Sequence, residues 1–576
     1  PTIETNPIPV SVFMGQAHDD PGLAGGYIGV AIDEYGNFSN GTEGRVGGIG
    51  RTVDSISVRG DEASSYAYLG GSGTLATSID TPSVSSRPST VNTVQILLTA
   101  TNQLTVTLQQ GAVAAQTVLQ LDLSASIRPE NLKLGFTSGT GGANNFHEVR
   151  NVEASTIVAS LWDNQGDSTW GNASNWNPTN VPGVGADILF DNTYVSTNQT
   201  VDTESDRTVR SVAFDAGFDY TVNNNTLIFD NGGVAGFSGI NTPETNGSGD
   251  HTINSDLQAN NDIFIRNNNT GDLTLNGDLD TGGNTITFDG VGNAASENGA
   301  ITGSGDIVKN DSGTVTLAGD NTYTGDTDIN GGTLVIQGQT DSSNIDIGSG
   351  ATLELNVASG TRNNGANTNF TGGGTLRKTG AGEMQWNSSV VDFALGSGAL
   401  IDVQEGTLRA ATGGNDTWTN NLSDLNVESG ATFNGAGLQI RVDELTGDGV
   451  IQHGYSGANR LTFGVDNGSA TFNGTLEDFT TGTGDFAKIG TGTQTLTGNN
   501  SFSGTMAIEG GTLVAAHSNT LGTTGVGTSI SSGATLALTN DINIGAEALT
   551  NNGTLQNTSG TNSYAGNISG TGGITL

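Results

Sequence analysis

The sequence predicts an all-β protein in two parts. Residues 1–157 read as a partial antiparallel β-sandwich, and residues 158–576 as a long right-handed parallel β-helix. Three observations lead there. Apolar residues make up 33% of the chain and recur in short regular bursts, with almost no amphipathic helical stretch. Glycine occurs 89 times and proline only 10 times, which fits many short strands joined by turns. From about residue 160 onward the texture becomes repetitive.

In the first part the strands are longer and less alike: "VSVFM", "YIGVAI", "SISVRG", "TVQILLTA", "QLTVTLQ", "TVLQLDLS" and "LKLGFTS". In "QLTVTLQ" Leu104, Val106 and Leu108 alternate and share one face. Several such strands without helices predict two packed antiparallel sheets.

In the second part the segment beginning at Gly303, "GSGDIVKNDSGTVTLAGDNTYTGDTDINGGTLVIQG", returns at Gly482 as "GTGDFAKIGTGTQTLTGNNSFSGTMAIEGGTLVAAH". The two align without a gap, and about half the positions are identical. Shorter echoes include "SGATLELN", "GGGTLRKTG", "QEGTLRAA" and "SGATLALTN". Glycine supplies a turn, and Thr-Leu-x-apolar supplies a strand of three or four residues with alternate side chains inward. So short a rung cannot bury its own apolar face. Rungs stacked at about 4.8 Å make a continuous core, with Asn and Ser/Thr ladders at the corners.

These repeats resemble the passenger-associated repeat of bacterial autotransporters and related surface proteins. Gly313, Thr314, Leu317, Gly319, Asn321, Tyr323, Gly325, Gly332, Thr333 and Leu334 carry the pattern. Gly492, Thr493, Leu496, Gly498, Asn500, Phe502, Gly504, Gly511, Thr512 and Leu513 carry it again. The stretch from Trp170 to Asn192 resembles the opening of such β-helices, with Trp170 and Trp176 expected to cap the first rungs. The resemblance implies a secreted or cell-surface stalk and no chemistry of its own.

The stretch "AIDEYGNFSN", residues 31–40, sets Asp33, Glu34, Tyr35 and Asn37 behind an apolar run. Read alone, it is either a cation-holding loop or a polar turn whose carboxylate caps backbone amides. Residues 22–48 and 132–152 resemble the L-type, legume-lectin-like domains of bacterial surface proteins, with the first strands of that domain missing. The resemblance implies calcium held by Asp33, the carbonyl of Tyr35 and Asn37, with Asn40 or Glu43 in the place of a second acidic ligand. It implies a carbohydrate site formed by Gly25, Gly26, Tyr35 and Asn37, with Gly142, Ala143 and Asn144 as the specificity loop. Ala31 stands where an acidic residue would hold a second metal, so no transition metal is expected. The family's upstream Asp is replaced by the Asn6-Pro7-Ile8-Pro9 run, with Asp19 or Asp20 as substitutes.

The net charge of -40, from 58 acidic and 18 basic residues, argues against binding nucleic acid or anionic lipid. No apolar run is long enough to span a bilayer as a helix. There is no cysteine, and the five histidines have no metal-ligand spacing, so neither a thiolate site nor a zinc site is expected. Asp306, Asp326, Asp328, Asp443, Glu444 and Asp448 lie in the solenoid with no spacing that singles out a catalytic pair. Lys309 and Lys488 occupy equivalent repeat positions, which favours a structural role. The expectation is therefore a non-enzymatic extracellular adhesin with calcium as cofactor and glycans as partners. The alternatives are a filament assembling end to end and, behind it, a polysaccharide-degrading β-helix. The unfinished repeat "NISGTGGITL" at residue 576 is expected to continue into further repeats or to stack on another copy.

Overall fold

The computed structural model describes residues 8–14, 27–42, 44–79, 92–98, 103–110, 116–123, 132–138, 159–165, 167–232, 238–243, 248–291, 295–364, 368–386, 391–410, 418–454, 460–480 and 482–576. Among them the only helical element is one 3-10 turn, Ala173–Asn175; everything else regular is strand. The chain divides into two compact units, residues 1–220 with 227–249, and residues 221–226 with 250–576.

The first unit opens with two small sheets. One runs in the order Tyr68–Gly71, Ser55–Arg59, Gly29–Asp33, Ile8–Met14, Leu132–Ser138. The other is the antiparallel set Asn92–Leu98, Gln103–Gln110, Gln116–Asp122. Val30, Ile56 and Val58 from the first meet Leu104, Val106 and Leu108 from the second in one buried core. The predicted alternation of "QLTVTLQ" is thus the face that packs. The first sheet corrects the purely antiparallel expectation. Ile8–Met14 pairs in parallel with both Gly29–Asp33 and Leu132–Ser138. Strand composition does not reveal direction; that depends on the crossing of the connections.

Further along this unit, Trp162, Trp170 and Trp176 pack edge to face with centroids 4.8–5.0 Å apart. The Trp176 indole N–H donates to the Trp170 carbonyl at 2.8 Å. Phe190, on the strand Asp187–Asp191, joins this group and stacks on Phe214. The aromatic group therefore seals the start of the parallel pairing between Asp187–Asp191 and Ser211–Asp215. Beside it Arg210 and Asp187 form a buried bidentate ion pair, and Ser211 Oγ donates to the same carboxylate at 2.6 Å.

The second unit is a β-solenoid of parallel rungs. One column of inward side chains reads Leu334, Leu353, Leu376, Ile401, Leu425, Leu445, each in register with the next and all buried. The Thr-Leu signature supplies three rungs in register as Thr333, Thr352 and Thr375, with Thr314, which Val315 follows, aligned before them. Gly332, with φ of +63°, is required at its turn, because a Cβ there would lie 2.2 Å from the Gly313 carbonyl oxygen. At another corner Asn223, Asn254, Asn276 and Asn298 form an amide ladder, each side-chain N–H donating 2.7 Å to the preceding Oδ1.

Leu353 sits in mid-column and is fully buried. Leu353→Ala is expected to cost about 2–5 kcal/mol. The check is hydrogen exchange, in which amides of the flanking rungs 333–336 and 375–379 should lose protection while the first unit keeps its own.

Candidate functional site

Among the described residues, the loop after Gly29–Asp33 and the repeat corners gather converging polar groups.

The loop is built around Asp33, which ends its strand and is buried. Its Oδ1 accepts from the amides of Tyr35 at 3.1 Å and Gly36 at 2.8 Å, and its Oδ2 from Phe38 at 2.5 Å. This is the amide-capping geometry that the sequence left open beside the cation-holding one. Burial pushes the carboxyl up, while the three amides and the charge of Arg45 pull it down.

Three arginines complete the loop. Arg51 Nε donates to the Tyr35 carbonyl at 2.9 Å, Arg45 Nη2 to the Asn37 carbonyl at 3.2 Å, and Arg59 Nη2 to the Asn40 carbonyl at 2.9 Å. Arg59 is buried and also reaches the carbonyls of Phe38, Val46, Tyr66 and Gly47. Burial pulls its guanidinium down to about 10. The structure therefore brings Asp33, Tyr35, Asn37 and Asn40 into one loop. Gly25, Gly26, Gly142, Ala143 and Asn144 lie outside the described residues, as do Asp19, Asp20 and Glu43. Among the described residues no three His, Asp or Glu side chains gather as a metal-holding group. The arginines were missed in the sequence. The signal was there: three of the chain's few basic residues fall between positions 45 and 59.

At the repeat corners, Lys309, Lys378 and Lys488 point inward and are fully buried. Lys378 Nζ donates to the carbonyls of Thr379 and Gly380 at 2.7 Å and of Glu405 at 3.2 Å. Lys309 donates to the carbonyls of Asn310, Asp311 and Gly331, and Lys488 to that of Ile489. Each ammonium takes up carbonyls at the turns; that of Thr379 also accepts from the Val357 amide at 3.0 Å.

The repeat asparagines act similarly. Asn321 Oδ1 accepts from the Ile301 amide at 2.9 Å, while its Nδ2 donates to the carbonyls of Gly319 and Gln339. Asn500 repeats this with the Leu476 amide and the Thr520 carbonyl. One side chain thus ties the rung before to the rung after. The aromatic position differs with its surroundings. Tyr323 meets Thr327 Oγ1 at 2.8 Å in a buried hydroxyl network, whereas Phe502 packs on Phe486 beside the buried Met506.

Three of the solenoid acids singled out in the sequence brace turns. Asp306 accepts from the Asp326 amide, Asp443 from the amides of Asp466 and Gly468, and Glu444 from that of Ser469.

Residues 307–336 and 486–515 match the family model of the passenger-associated-transport-repeat. Both matches begin two residues before a buried lysine, at the corner just described. Together with the solenoid they support an autotransporter passenger with a β-helix, a segment that is on the surface or secreted. Comparison with curated proteins and with solved structures yields no match. No helix among the described residues is long and apolar enough to cross a membrane.

Two outcomes follow from these contacts. Asp33→Ala leaves three loop amides without their acceptor and is expected to cost roughly 1–3 kcal/mol. The check is the unfolding of the first unit with and without the substitution. Burial, assisted by the like charge of Arg362, pulls Lys378 from 10.5 down to about 8. Between those values the unfolded chain binds more protons than the folded one, so stability rises with pH across the window. Melting temperatures from pH 7.5 to 10.5 should climb, and Lys378→Met should flatten part of that climb.

Proposed function

We propose that the chain is the surface-displayed passenger of an autotransporter-type adhesin, in which the solenoid is a non-catalytic stalk and the N-terminal sheets carry a saccharide-binding loop. The stalk reading rests on the two matched repeats, each set into parallel rungs whose corners are filled by their own lysine and asparagine. The binding reading rests on one observation. Tyr35 is 58% exposed on a loop whose backbone is otherwise clamped by Asp33 and the arginines. An exposed ring on a rigid loop, with the Asn37 amide two residues away, is the kind of surface on which a sugar face stacks.

Among its described residues the solenoid supplies repetition and no assembled reaction centre. Asp306, Asp443 and Glu444 are engaged with backbone amides, and Lys309, Lys378 and Lys488 are buried. Calcium is not part of this reading: Asp33 already accepts three amides, and guanidiniums hold the carbonyls of Tyr35, Asn37 and Asn40.

The test is a glycan array probed with the whole chain in calcium, then in chelator, beside Asp33→Ala. Saturable binding that a competing free sugar removes is expected. A folded chain that binds nothing in either buffer overturns the adhesin reading and leaves a stalk alone.

A further inference from the structure

The saccharide-binding reading gains a ligand class from Arg51. Residues 34–39 and 49–54 run beside each other and are tied together. The amide of Asp54 donates to the Glu34 carbonyl and that of Ile49 to the Ser39 carbonyl, both at 3.1 Å. Ser39 Oγ donates to the Gly36 and Gly50 carbonyls and accepts from the Thr52 amide at 2.9 Å. Gly36, at φ +81°, lies so close to Thr52 that a Cβ would sit 2.4 Å from its carbonyl carbon. The two segments therefore form one fixed platform.

On that platform the Arg51 guanidinium lies over the Tyr35 ring, with Cζ 4.1 Å from the centroid. Its Nε is spent on the Tyr35 carbonyl. Its two terminal amino groups have no hydrogen-bond partner among the described residues, and both Arg51 and Tyr35 are exposed. Stacking and the Nε bond fix the plane of the fork, so little freedom remains to be lost when a ligand engages the outer edge. The edge left open is the one that takes a carboxylate through two parallel N–H bonds. Two neighbouring acids, Asp33 and Asp54, are turned to other work. Asp33 accepts the loop amides, and Asp54 Oδ1 accepts from Ser78 Oγ and the Ile79 amide.

We propose that Arg51, stacked on Tyr35, binds the carboxylate of an acidic saccharide, the sugar ring lying on the exposed part of the tyrosine. This rests on the saccharide-binding reading and narrows it. It also makes binding independent of metal, because guanidiniums already hold the carbonyls of Tyr35, Asn37 and Asn40.

The experiment uses the whole chain in chelator-containing buffer and, in parallel, in calcium-containing buffer, with two probes. One is a uronic-acid oligosaccharide; the other is the same oligosaccharide with its carboxyls reduced to alcohols. The uronate is expected to bind saturably and the reduced form at least about tenfold more weakly. Arg51→Gln and Tyr35→Ala should each weaken uronate binding by a similar factor. Arg51→Lys should fall between, since it keeps the charge and loses the fork. Both residues are exposed, and melting temperatures of the variants confirm that they fold. Equal binding of the two probes, or uronate binding unchanged in Arg51→Gln, overturns the proposal. Neutral sugars bound only in calcium would overturn it and keep the adhesin reading. Absence of binding in both buffers would overturn both.

Discussion

A rung of three or four residues satisfies its backbone N–H and C=O groups only through the rungs before and after it. The rest of the solenoid follows from that dependence. Inward positions must be apolar in register, so that the column from Leu334 to Leu445 closes without a gap. Turns must be short, which places glycine at Gly332 and Gly511, where the preceding rung's carbonyl leaves no room for a Cβ. Corners must still pair their polar groups, and the chain meets that need with side chains. Asn321 and Asn500 stand in for strand pairing, and Lys309, Lys378 and Lys488 collect turn carbonyls.

Buried cations of this kind carry an energetic cost. An ammonium in an apolar core loses its hydration, and carbonyl dipoles replace only part of it. The depressed proton affinity of Lys378 is the expression of that cost. What the lysine returns is geometry: beside the Thr379 carbonyl, which also accepts the Val357 amide, one flexible stem reaches the turn carbonyls of Gly380 and Glu405. A methionine would fill the same volume and leave those carbonyls unpaired.

In the N-terminal loop the same logic runs through arginine. A chain with 58 acidic residues concentrates Arg45, Arg51 and Arg59 around one turn, where each takes a carbonyl. Arg59 and Arg45 are buried and hold the loop; Arg51 is exposed and left with a free edge. Burial alone separates the two arginines that hold the loop from the one whose edge is open.

Much of this was legible in the residues. The Thr-Leu-x-apolar grammar and the spacing of the two copies predict a parallel solenoid, since a period that short has no other way to bury its leucines. The alternation in "QLTVTLQ" predicts the packed face of the small antiparallel sheet. Asp33 is recognisable as the hub of a turn, because an acid at the end of an apolar strand must find donors. What the residues could not decide was which donors. Whether Asp33 meets amides or a cation depends on how its own loop closes. Whether Lys309 points in or out depends on the rung stacked against it, and whether Ile8–Met14 pairs in parallel depends on a segment far away in sequence. Local pattern determines which residues are buried. Only the folded chain determines what a buried polar atom finds opposite it.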